Sequence, residues 1–161
     1  MIKKELQSMI CKQIVFEYES AFVYKQMSIQ MAMAGWNGFA HWFDMQYHEE
    51  MAHADEMMDY MITRGETPVL KDIKMHDVKL EGVVAFFEKA YEHECLVSTK
   101  INEIVAKAIE VKDYATENFF RKFVDEQVEE EDSVAGIVDQ LKLATSNAGF
   151  MILDHQLAGR K

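Results

Sequence analysis

The chain has 161 residues and 49% hydrophobic content, enough to bury a core as one domain. No stretch approaches the roughly 18 to 20 apolar residues of a membrane span, and the amphipathic start MIKKELQSMICKQ lacks the apolar core of a secretory signal, so a soluble, cytoplasmic protein is expected. A net charge of -11 repels phosphate backbones and anionic lipid while concentrating cations, so neither a nucleic acid nor a membrane is expected as partner.

One proline and seven glycines are too few turn residues for a sheet protein, and the periodicity is helical throughout. A first helix is predicted from about Lys4 to Ala34, stopped by Gly35, and a second from Asn37, read as its cap, to about Thr63 before Gly65. A third runs from about Leu80 to Ile109, and a fourth, capped by Asp113, to about Thr145. The short first-to-second and third-to-fourth links make antiparallel hairpins. Residues 66–79 are long enough to run the length of a bundle and start the third helix parallel to the second. A short apolar stretch, residues 147–158, ends the chain. The expectation is an all-α, single-domain four-helix bundle over residues 4–145, with one long crossover between helices 2 and 3 and a short fifth helix. Cys11 and Cys95, with no C-x-x-C pair, read as small buried groups.

Steps of three, four and seven along each helix collect one apolar stripe. Each stripe is interrupted by a carboxylate: Glu17 in the first, Glu50 with His53 in the second, Glu94 in the third, Glu130 with Gln127 in the fourth. Phe119 and Phe123 are read as flanking that last pair. All four glutamates stand about 15 to 18 residues from their turns, or roughly 22 to 27 Å along the helix, so they meet near mid-bundle. Four carboxylates in a low-dielectric interior cannot all stay ionised without protons or cations, and no Lys or Arg lies on these stripes. Carboxylate oxygens with an imidazole suit iron or manganese. A dinuclear metal site follows.

With these residues in place, the sequence resembles the ferritin family, closest to the bacterial non-haem ferritins, over essentially its whole length. In ferritin-like bundles two helices supply one Glu each and two supply Glu-x-x-His. Here Gln127-x-x-Glu130 stands in the second such position, as in ferritins rather than bacterioferritins or rubrerythrins. The resemblance implies one iron held by Glu17, Glu50 and His53. A second is bridged by Glu50 and held by Glu94 and Glu130, with Gln127 and the hydroxyl of Tyr24 alongside. It further implies a third iron site from Glu49, Glu126, Glu129 and Glu130. The implied activity is that of an iron-storage ferroxidase: Fe²⁺ is oxidised by O₂ or H₂O₂ and stored as ferric mineral in an octahedral shell of twenty-four copies, with the fifth helix lining its fourfold axes.

Met51 lies where bacterioferritins bind haem between subunits, but haem is not expected here. His41, His48, His76, His93 and His155 read as surface or structural residues, and Glu110, Asp113 and Glu117 as candidates for an iron entry route. A rubrerythrin-like peroxidase would need a second Glu-x-x-His and a four-cysteine domain. A DNA-coating mini-ferritin would lack the fifth helix and would usually carry a basic tail, where this chain closes with only Arg160 and Lys161.

Overall fold

The computed structural model describes residues 1–144 and 146–160. Among them are five helices and no strand: α1 (Lys4–Met33), α2 (Asn37–Thr63), α3 (Val83–Glu110), α4 (Tyr114–Leu143) and α5 (Asn147–Leu157). Thr145, where the fourth helix was expected to end, and Lys161 lie outside the described residues. None of the described helices is long and apolar enough to cross a membrane.

α1 pairs with α2 and α3 with α4, and the stops of α1, α2 and α3 share one mechanism. Gly35 and Gly65 take positive φ (86° and 76°), and the following N–H reaches back to the last turn, Trp36 to the Met31 carbonyl and Glu66 to that of Met61. Lys112 does the same at φ 59°, at a cost of roughly 1 to 2 kcal/mol for a residue with a Cβ. Asp113 offsets it, since its side chain caps α4 at Thr116 N (3.1 Å) and is forked by Arg64 from the end of α2 (3.1 Å to each oxygen).

The crossover climbs α1 as a strap. Val69 N donates to Cys11 Sγ, Lys74 N to Glu19 Oε1 and Gln30 Nε2 to the Val78 carbonyl, so advancing strap residues meet advancing turns of α1. α3 therefore starts at the α1–α2 turn and runs parallel to α2, as the length of the link required. It begins three residues later than expected, at Val83, after Gly82 at φ 78°. Cys11 and Cys95 are free and half-buried, not fully buried as expected.

Two details of the expected elements change. Asn37 is the first residue of α2 and not its cap, and Trp36 in the cap position makes no side-chain bond. The orphan donor is taken from elsewhere in the chain: Asp154 Oδ1, on α5, accepts from Phe39 N at 2.8 Å. In α4, Phe120 rather than Phe119 fills the core. Phe119 is rotated off the stripe to stack on Tyr60 at 4.0 Å.

The buried apolar residues fall into two clusters. One, including Met27, Phe39, Phe43, Phe87 and Leu141, fills the end of the bundle near α5. The other, including Leu6, Ile10, Met57, Ile101 and Phe120, fills the opposite end. Between them lies a polar slab.

Candidate metal centre

The slab is built from the inner faces of all four long helices. Glu17, Glu50, Glu94 and Gln127 are buried there, as their stripes require, with Gln13, Ser20 and Gln46. Glu130 and His53 are half-buried at its edge.

Three amides each donate to one carboxylate. Gln13 Nε2 reaches Glu17 Oε1 (2.8 Å), Gln46 Nε2 reaches Glu130 Oε2 (3.2 Å) and Gln127 Nε2 reaches Glu94 Oε2 (3.0 Å). The Tyr24 hydroxyl donates to the other oxygen of Glu94. These donors orient the carboxylates without neutralising them. Glu17 Oε2 and Glu50 Oε2 are buried with no hydrogen-bond partner at all, a state that costs about 1 to 3 kcal/mol per group, more for a charged one. Two carboxylates can bond one another only by sharing a proton.

The electrostatics follow. Burial first, and then the charge of Glu50, holds the Glu17 carboxyl well above its ordinary range. Burial pushes Glu50 up to about 8, reinforced by Glu94 and Glu130. Burial likewise raises Glu94, against the opposing pull of Tyr24 and Gln127, and raises Glu130, helped by Glu49 and Glu94. Among the described residues no Lys or Arg pairs with Glu17, Glu50 or Glu94. The centre as built binds protons unless cations take their place.

Two sets of three ligand atoms lie within 4.8 Å of one another, one from Glu17, Glu50 and His53, the other from Glu50, His93 and Glu94. Glu50 is common to both sets. The first set is the trio the sequence singled out. The second contains a residue read from sequence as surface or structural. His93 packs against Phe16 (5.4 Å) and Tyr24 (5.5 Å) with a buried, unpartnered Nε2, and burial lowers its pKa to about 4, keeping the ring neutral. The available signal was its place beside Glu94 in the chain, although one residue is about 100° around a helix. Glu130 joins neither set, being engaged by Gln46 and lying 4.0 Å from Arg160 Nη2.

The four positions expected to form a third site gather less tightly. Glu49 Oε2 accepts from Arg160 Nη2 at 2.7 Å, Glu126 Oε2 lies 3.5 Å from His53 Nε2, and Glu129 is exposed. The acidic residues considered for an entry route are each engaged by a cation: Glu110 by Lys107, Asp113 by Arg64 and Glu117 by Arg121.

Fold and centre together define a helical bundle with a carboxylate-lined core of the kind that accommodates paired metal ions. Comparison with known proteins narrows the class. A model of the ferritin-like domain matches residues 7–144. The bacterial non-heme ferritin of Bacteroides fragilis (strain 638R) is 41% identical over 160 residues, spanning 99% of this chain and 100% of that one. The bacterial non-heme ferritin of Escherichia coli O6:H1 is 31% identical over 159 residues, 98% and 96% of the two chains. Among solved structures, an open pore ferritin from the archaeon Archaeoglobus fulgidus superposes with a TM-score of 0.97 at 34% identity, covering both chains fully. The chain belongs to the ferritin family.

Proposed function

We propose that the protein is an iron-storage ferroxidase. The reading is carried by one observation: buried carboxylates from α1, α2 and α3 share a slab between two apolar clusters, with two orphaned oxygens and, among the described residues, no Lys or Arg paired to them. Such a set is unfavourable empty and favourable around divalent cations, and its oxygen-rich chemistry with imidazole nitrogen alongside suits iron. Iron here is the substrate.

One ferrous ion is held by Glu17, Glu50 and His53. A second is held by Glu50 and Glu94, with Glu130 or His93 completing its shell, Gln127 orienting Glu94 and Tyr24 donating to it. A third position uses Glu49, Glu126, Glu129 and Glu130. As ions enter, the carboxyls release the protons that burial had kept on them. Two adjacent ferrous ions supply one electron each, so that O₂ and two protons become H₂O₂, or H₂O₂ and two protons become two waters.

Storage needs a container, and a shell of identical subunits in the cytoplasm, twenty-four by family resemblance, is the proposed form. Exposed Val69, Leu70, Ile73 and Met75 on the strap and Met151 and Ile152 on α5 supply apolar surface for copies to cover. The test is aerobic addition of Fe²⁺ to the purified apoprotein, with oxidation followed by absorbance and particle size by light scattering. Fast oxidation by a large particle is expected, with the Glu50→Ala, His53→Ala double variant still assembled but slow. Oxidation no faster than the protein-free control sinks the enzymatic claim, and a monomeric or dimeric particle sinks storage.

A further inference from the structure

Arg160 folds back from the end of α5 and is held along α2 by its backbone and its side chain. His41 Nε2 meets its carbonyl oxygen at 2.7 Å. Nη1 donates to the Trp42 carbonyl at 3.4 Å, and the guanidinium carbon lies 4.8 Å from the centroid of the Trp42 ring. Nη2 donates to Glu49 Oε2 at 2.7 Å and stands 4.0 Å from Glu130 Oε1. Two turns earlier Asp154 is tied to Phe39 N, so the segment is fixed to α2 at both ends. The Arg160 side chain is only 20% exposed. Guanidinium stacks on an indole face and bonds carboxylate more readily than a lysine would.

Glu49 and Glu130 are two of the four carboxylates assigned above to a third ion, and they already share a cation. An incoming divalent ion must take Glu49 away from the guanidinium, whereas Glu17, Glu50 and His53 present no such competitor. We infer that Arg160 is a built-in counter-cation seated on the Glu49–Glu130 side of the third site. It sets the order of filling: the dinuclear centre loads first, and the third position loads at higher ferrous concentration, with the guanidinium swung off Glu49. The inference rests on the third-site reading given under the proposed function.

Zn²⁺, which does not change oxidation state, tests the order without turnover. Crystals of assembled wild-type and Arg160→Gln shells are equilibrated over a Zn²⁺ series, and the occupancy of each position is read from anomalous scattering. In the variant the third position is expected to fill at about tenfold lower Zn²⁺, the factor associated with losing one charge-assisted hydrogen bond at a partly exposed carboxylate. The first dinuclear position, held by Glu17, Glu50 and His53, is expected to fill identically in both proteins. Wild-type crystals holding a third ion should show Nη2 withdrawn from Glu49 Oε2, a readout that needs no variant. Equal third-site filling in the two proteins, or a guanidinium still on Glu49 beside a bound third ion, overturns the inference alone. No third ion in either protein at any concentration overturns the third-site reading and the inference with it.

Discussion

Gln127 Nε2 donates to Glu94 Oε2 at 3.0 Å and to the Glu94 carbonyl at 3.3 Å, pinning α4 to α3 at the level of the carboxylate cluster. A glutamate at this position would exchange a donor for another acid facing Glu94. Gln127→Glu is therefore expected to destabilise the metal-free protein by about 1 to 3 kcal/mol at neutral pH. The loss should shrink under mildly acidic conditions, where the added carboxyl is protonated, and should be recovered with saturating Zn²⁺. Denaturant titrations of the apoprotein at both pH values, with and without Zn²⁺, measure it. Destabilisation unaffected by pH or metal would mean that Gln127 acts through packing alone.

The raised carboxyls fix the sign of the pH dependence. Below the ordinary carboxyl value of 4.5 these groups are protonated in the folded and unfolded chains alike and contribute nothing. Between 4.5 and about 8, the value for Glu50, the unfolded chain ionises while the folded one retains protons, so the folded state binds more of them and stability falls as pH rises. Above that window the penalty levels off. The apoprotein's melting temperature is expected to decline through this interval, and bound Zn²⁺ to flatten the decline, because cations then replace the protons. Calorimetry in buffers of differing ionisation enthalpy should count protons released per ion, with the number falling as pH passes about 8. A flat apoprotein profile would show that these carboxyls are not buried together.

Much of this centre is written in helical spacing. Glu17, Glu50, Glu94 and Gln127 are buried because each sits on a stripe whose apolar members, such as Ile14, Met57, Val97 and Val134, go to the core, whereas His53 and Glu130, on the same stripes, stay half-buried at the edge. Gln13, one turn before Glu17 on the same face, was not singled out from the sequence, although the same spacing places it there. What spacing does not encode is contact made by tertiary docking. Asp154 caps a helix start 115 residues away in the chain, and Arg160 reaches Glu49 only because α5 lies against α2. His93 reaches the cluster for a different reason. A residue adjacent to a core position points about 100° away, which usually means solvent, but at this level α1 presents Phe16 and Tyr24 to receive it. Phe119 and Phe120 show the same ambiguity, since steps of four and three back from Phe123 both land on an aromatic residue.

Glu17 offers a test in which function and stability oppose each other. Its Oε1 is satisfied by Gln13, whereas its Oε2 is buried without a partner. Glu17→Gln keeps the volume, removes a carboxyl that must take up a proton to stay buried beside Glu50, and leaves an amide whose oxygen still accepts from Gln13. The metal-free variant is expected to be more stable than wild type by about 1 to 3 kcal/mol near neutral pH, with no gain under acid conditions, where Glu17 is already neutral. Its first metal position should lose affinity, seen as one fewer tight Zn²⁺ site by calorimetry. A variant that is less stable than wild type at neutral pH would show that the charge on Glu17 is compensated without metal.

The docking of α5 depends on Gly38. A Cβ there would stand 1.7 Å from the Asp154 carbonyl oxygen and 2.5 Å from its carbonyl carbon, so two backbones meet with no flexible side chain to give way. Gly38→Ala is expected to push α5 off α2, removing both the Asp154 cap on Phe39 N and the path that brings Arg160 to Glu49. The overpacking and the lost cap together should lower stability by about 1 to 3 kcal/mol. Hydrogen exchange should speed up across residues 147–157 and at the first turn of α2, while the middle of α3 keeps its protection. Gly136→Ala is the matched control, because a Cβ at that helical position meets nothing within 4 Å. There the ordinary helix preference for alanine should add about 0.5 to 1 kcal/mol. If Gly38→Ala leaves exchange in α5 unchanged, the terminal helix is not held by this contact, and the route by which Arg160 reaches the carboxylates must be sought elsewhere in the fold.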